Sequence, residues 1–87
     1  MNNYLKKYDQ FNWVVEKDTT DPLWDDFIKW LNEKSERIKF NGKKKRFYGF
    51  TGSIKGYNSL MDAPKDTQVL SLENWTVISN NDPLGGA

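Results

Sequence analysis

RIKFNGKKKRFYGFTGSIKGY, residues 37–57, decides how this chain folds and what its surface offers. It holds seven cations (Arg37, Lys39, Lys43, Lys44, Lys45, Arg46 and Lys55), no acid, and the rings of Phe40, Phe47, Tyr48, Phe50 and Tyr57. Ile38 and Phe40 alternate with charged neighbours, as on a half-buried strand. Asn41-Gly42 follows, the strongest short hairpin signal, because both residues tolerate φ > 0. The return strand is expected over 43–51. A two-residue turn would set Lys43 and Lys45 beside Phe40 and Ile38; a longer loop over 41–44 pairs Ile38 with Phe47. Either register gathers the lysines at the hairpin tip.

Working outward toward the N-terminus, Asp21 caps a helix expected over 22–34. Pro22 stands at its first position and Asp25 and Asp26 in its first turn. Leu23, Trp24, Phe27, Ile28, Trp30 and Leu31 fall on one broad face at helical spacing, with Asp25, Asp26, Lys29, Asn32 and Glu33 opposite. Before it, FNWVVE at 11–16 alternates and is rich in β-formers, which predicts a strand. Residues 1–10 are expected as a short helix or a frayed arm, with Tyr4, Leu5 and Tyr8 spaced like one weak helical face.

Toward the C-terminus, NSLMDAP at 58–64 reads as a turn or single helical turn burying Leu60 and Met61, stopped by Pro64. Residues 67–70 extend briefly. Ser71 caps a turn at 72–74, and WTVI at 75–78 is a final strand. Residues 80–87 carry Asp-Pro and two glycines and are expected as a loose tail after a single domain over 1–79. The predicted fold is α+β: a small, mostly antiparallel sheet of about four strands with one amphipathic helix on one face.

Composition narrows the chemistry. The 87 residues contain no Cys and no His, which removes thiol chemistry, the commonest general base and the commonest metal ligand. No metal, cofactor or catalytic residue is expected. Four Trp, five Phe and four Tyr stand in for a larger aliphatic core, each ring able to bury about 150–250 Å². No apolar run reaches the ~18 residues of a membrane span, so a soluble, cytoplasmic protein is expected. The carboxylates of Asp21, Asp25 and Asp26 are accounted for by capping and the helix dipole. Gly49, Gly52 and Gly56 match no phosphate-binding fingerprint and read as turns and bulges.

The net charge of +1 hides a dipole. Residues 1–36 hold five cations and eight acids, and residues 58–87 hold one cation and four acids. Only 37–57 is basic. Cations neutralise phosphates, and exposed rings stack single-stranded bases. RNA or another polyanion is therefore the expected partner. Arg37, Lys39, Lys43, Lys44, Lys45, Arg46 and Lys55 would serve the phosphates, and Tyr48 and Phe50 would stack. Two other uses of the patch are docking on an acidic protein surface and sequestering a small nucleotide signal. Spare aromatics such as Trp30 would serve a homodimer as well as a core.

The order FNWVV, DPLWDDFIKWLN, FYGF and LSLENW over most of residues 11–78 resembles the small, cysteine-poor early proteins of T-even-type phages that disarm host defences. KKKRFY suits those that inhibit ToxN-type ribonuclease toxins, and TQVLSLENWTVI is similar to the end of anti-Thoeris sponges. The resemblance implies a non-enzymatic inhibitor that acts in the host cytoplasm on a host defence protein, with RNA binding through basic residues.

Overall fold

The computed structural model describes residues 7–35 and 39–81. Its sheet is built from β1 (Trp13–Glu16), β2 (Phe47–Phe50), β3 (Ile54–Tyr57) and β4 (Gln68–Leu70), in the order β3-β2-β1-β4. β1–β2 and β2–β3 are antiparallel, whereas β1–β4 is parallel. Helices α1 (Trp24–Lys34) and α2 (Leu72–Asn81) complete an α+β fold. None of the described helices is long and apolar enough to cross a membrane.

Period-2 alternation sends Trp13 and Val15 to one side of the sheet. The register joins them there to Phe50 and Tyr48, and Phe50 to Ile54. On this face α1 lays Trp24, Phe27, Ile28, Trp30 and Leu31, and α2 adds Leu72 and Trp75. Rings meet edge-on or tilted throughout: Trp13 lies 6.2 Å from Phe27 and 6.1 Å from Trp30, and Phe27 lies 5.2 Å from Trp75. Such contacts add roughly 0.5–1.5 kcal/mol per pair to the burial itself. All four tryptophans are buried.

On the other face Val14, Gly49 and Lys55 share one rung. Val14 is fully buried although it points away from both helices. β3 and β4 run in the same direction, so the connection 58–67 must travel back the length of the sheet. It contributes half-buried Ser59, Ala63 and Thr67 and a side-chain bond from Asn12 Nδ2 to Asp66 Oδ1, 2.9 Å. To reach Thr51 from the rung it shares with Phe47, the Tyr57 hydroxyl passes the level of Gly49, which has no side chain.

Three expectations are corrected. Residues 39 and 40 are not strand, and Asn41-Gly42 is not a hairpin turn. The hairpin joins β2 to β3 through Thr51-Gly52-Ser53, with Gly52 at φ +86° and Thr51 N–H donating to Ser53 O at 3.0 Å. The stretch 75–78 is helical, not a strand: Ser71 Oγ accepts from Asn74 N–H at 3.1 Å, and Leu72, Trp75 and Ile78 recur every third residue on the buried side. The cap was legible, but the β-branched residues after it suggested a strand. The helix also takes Asn80 and Asn81 out of the expected tail. Finally, the helical turn Leu60–Asp62 forms, yet Leu60 and Met61 are 41% and 92% exposed rather than buried. The expected elements at 1–6, 36–38 and 82–87 lie outside the described residues.

Candidate nucleic-acid interface

The lysine run occupies the loop 39–46 between α1 and β2, and this loop is fastened along its length. At its start Asn32 of α1 replaces a strand partner. Phe40 N–H donates to Asn32 Oδ1 at 2.7 Å and Asn32 Nδ2 donates to Phe40 O at 2.9 Å. With both backbone groups of Phe40 taken, no ladder can grow from it, which is why the hairpin signal at Asn41-Gly42 is overridden. Lys39 Nζ donates to the Asn32 carbonyl at 2.7 Å, a cation at the negative end of the helix.

Gly42 is clamped on α1. Trp24 Nε1 donates to its carbonyl at 3.1 Å, and a Cβ there would stand 2.8 Å from Ile28 Cγ1. Its φ of +75° is the left-handed conformation that favours glycine. Lys43 N–H closes an Asx turn on Asn41 Oδ1 at 2.9 Å. At the exit, Lys17 Nζ donates to Lys43 O at 3.2 Å, Lys45 N–H to the Tyr48 hydroxyl at 2.8 Å, and Lys17 N–H to Arg46 O at 2.6 Å. A preorganised ledge of this kind loses little conformational freedom on binding.

The predicted site residues separate into distinct groups on this scaffold. Lys43 and Lys44 are exposed side by side, and among the described residues no acid pairs with either. Lys45 is half-buried because its stem occupies the space a side chain at Gly56 would fill, with its Cγ 2.9 Å from that Cβ position. Arg46 is exposed but bound to Glu16, Nη2 to Oε2 at 2.9 Å, with its guanidinium 5.7 Å from the Phe47 ring centroid. Lys55 stands apart, exposed on the edge strand β3, on the face away from the helices. Lys39 stays at the end of α1. Arg37 lies outside the described residues.

The stacking role expected of Tyr48 and Phe50 is corrected. Tyr48 is 1% exposed and packs edge-on against Trp24 at 5.8 Å and Phe40 at 5.6 Å. Phe50 faces the core with its ring 5.5 Å from that of Tyr8. Their alternation with cations in 37–57 marks the inward side of β2, not an exposed face. In exchange the fold supplies Lys17, which sequence reasoning missed. It follows β1 directly, and only the β1–β2 register brings it to the loop.

Beside Lys17, a groove of about 430 Å³ opens at the carboxyl ends of β1 and β4, with Glu16, Asp18 and Asp21 on its wall and Val15 and Leu72 in its lining. Each carboxylate serves a local partner. Asp18 Oδ1 accepts from Thr20 N–H and Oγ1, Asp21 Oδ1 from Leu23 N–H, and Glu16 from Arg46.

The importance of the Asn32 fastening is testable. Asn32→Ala removes both bonds to Phe40 and, at about 1 kcal/mol each, is expected to cost roughly 2 kcal/mol in urea unfolding. Hydrogen exchange at the Phe40 amide should accelerate by more than at residues of the sheet.

Comparison with protein-family models, with curated proteins and with solved structures returned no significant match.

Proposed function

We propose that this is a non-enzymatic RNA-binding protein that grips phosphates on the 39–46 ledge. The observation that carries the reading is the adjacent pair Lys43 and Lys44, exposed and unpaired by any described acid, on a loop fastened at both ends and in the middle. Lys17 and Lys45 extend the positive surface. Arg46 is a reserve, since its exposed pair with Glu16 is a weak one. The consequence implied by the resemblance to small T-even-type phage proteins is inhibition of a host defence factor that acts on or through RNA.

The test is Lys43→Ala with Lys44→Ala, read by fluorescence anisotropy with labelled RNA across a salt series. Both side chains are exposed, so unfolding free energy should stay within about 0.5 kcal/mol of the parent. Losing two phosphate contacts should lower affinity and flatten the slope of log K against log salt by about 1.4–1.8. Unchanged affinity and slope would remove the assignment. An acidic protein partner that RNA does not compete away would replace RNA as the ligand of the ledge.

A further inference from the structure

Proteins that hold single-stranded nucleic acid combine a cationic groove that tracks the flexible backbone with ring faces on which bases stack. Among the described residues no exposed ring stands beside the lysines. Among the described residues of the basic stretch, Phe47 and Tyr48 are buried, and Phe40 and Phe50 are half-buried against other rings. Tyr57 is half-buried with its hydroxyl held by Thr51. The groove beside the ledge, beyond Lys17, is lined with Glu16, Asp18 and Asp21, which repel phosphate. What remains is an outward ledge of ammonium groups with an acidic flank.

We infer that the ligand of the ledge is an RNA double helix, held through its phosphates alone, and not a single strand; this rests on the RNA-binding reading above. A stiff duplex presents regularly spaced phosphates at higher density than a single strand and keeps its bases covered. The acidic flank confines contact to a short footprint, with Lys17, Lys43, Lys44 and Lys45 as the cations available. If all four contact phosphates, log K should fall with log salt with a slope of about −3.6 for the duplex and about −2.8 for a single strand. Starting from equal affinities at about 1 M salt, that difference makes the duplex about sixfold tighter at about 0.1 M. A single stacked base would be worth roughly five- to 150-fold, enough over nearly all of that range to reverse the order.

The experiment uses the full chain with a short blunt RNA duplex, its two separated strands, and unpaired oligo-U and oligo-A, each titrated across salt, with the parent and the Lys43→Ala, Lys44→Ala variant. The expected result is tighter duplex binding with the steeper salt slope, equal affinity for oligo-U and oligo-A, and weakening of every arm in the variant. A single strand that binds tighter than the duplex, or a dependence on base identity, overturns the duplex inference. In that case the ledge stands as the RNA site if the variant still weakens binding. No binding to any of these RNAs, or a variant indistinguishable from the parent, overturns both.

Discussion

Gly49→Ala is expected to lower the unfolding free energy by about 3 kcal/mol or more, a large share of the roughly 4–13 kcal/mol typical of a chain this long. Gly49 sits in the middle of β2, and a Cβ built on it would lie 2.1 Å from the Trp13 carbonyl oxygen and 2.7 Å from Val14 Cα. These are backbone atoms of the neighbouring strand, so no rotamer change can relieve the overlap. β1 and β2 would have to separate, weakening the pairing on which both faces are built. Gly52→Ala is the matched control. Gly52 has φ +86° but nothing within 4 Å of its Cβ position, so it should cost only the backbone term, about 1–2 kcal/mol. Urea midpoints measure both. Equal, mild effects would show that β1 and β2 do not approach as described.

Trp13→Ala should be nearly as severe, at about 3–5 kcal/mol. The Trp13 side chain is fully buried and touches Phe27 and Trp30 of α1, so its loss opens a cavity at the junction of helix and sheet. Its Nε1 also donates to the Tyr8 carbonyl at 2.8 Å, which holds the chain before β1 against the core. Trp13→Phe separates the two contributions: it keeps most of the packing and removes the donor, with an expected cost of about 1–2 kcal/mol. The near-ultraviolet circular dichroism of the coupled rings should collapse in the Ala variant and persist in the Phe variant. An Ala variant as stable as the Phe variant would contradict the packing described for α1.

Most of the fold was legible because the patterns were local. The alternation at Trp13–Glu16 and the apolar face of α1 needed only their own residues, and Ser71 marked the start of α2. The errors came where a distant residue overruled a local signal. Asn41-Gly42 has the composition of a hairpin turn, but Asn32 takes both backbone groups of Phe40 and the chain is left without a strand to fold back on. Thr76, Val77 and Ile78 favour strands by intrinsic preference, yet a cap and a buried face at helical spacing outweigh them.

The candidate site divides in the same way. That the cations cluster was visible in composition. Which of them remain unpaired was not, because Glu16 reaches Arg46 only through the sheet register, and Lys17 joins the ledge only through tertiary hydrogen bonds. Aromatic residues interleaved with lysines look alike whether they line a ligand surface or a core. What settles that question is the cover over β2, where Trp24 of α1 and Phe40 pack on Tyr48, and Tyr8 packs on Phe50.

The parallel pairing of β1 with β4 has a consequence for synthesis. Among the described strands β1 is made first and lies inside the sheet, but one of its two neighbours, β4, is made last, and α2, which brings Leu72 and Trp75 to the core, follows β4. Until residue 70 has emerged, a nascent chain carries β1 with one hydrogen-bonding edge open and Trp13 short of its full cover. Native pairing of β1 should thus wait on the synthesis of β4, and a ribosome stalled before β4 would display a sticky intermediate instead of a half-finished native sheet.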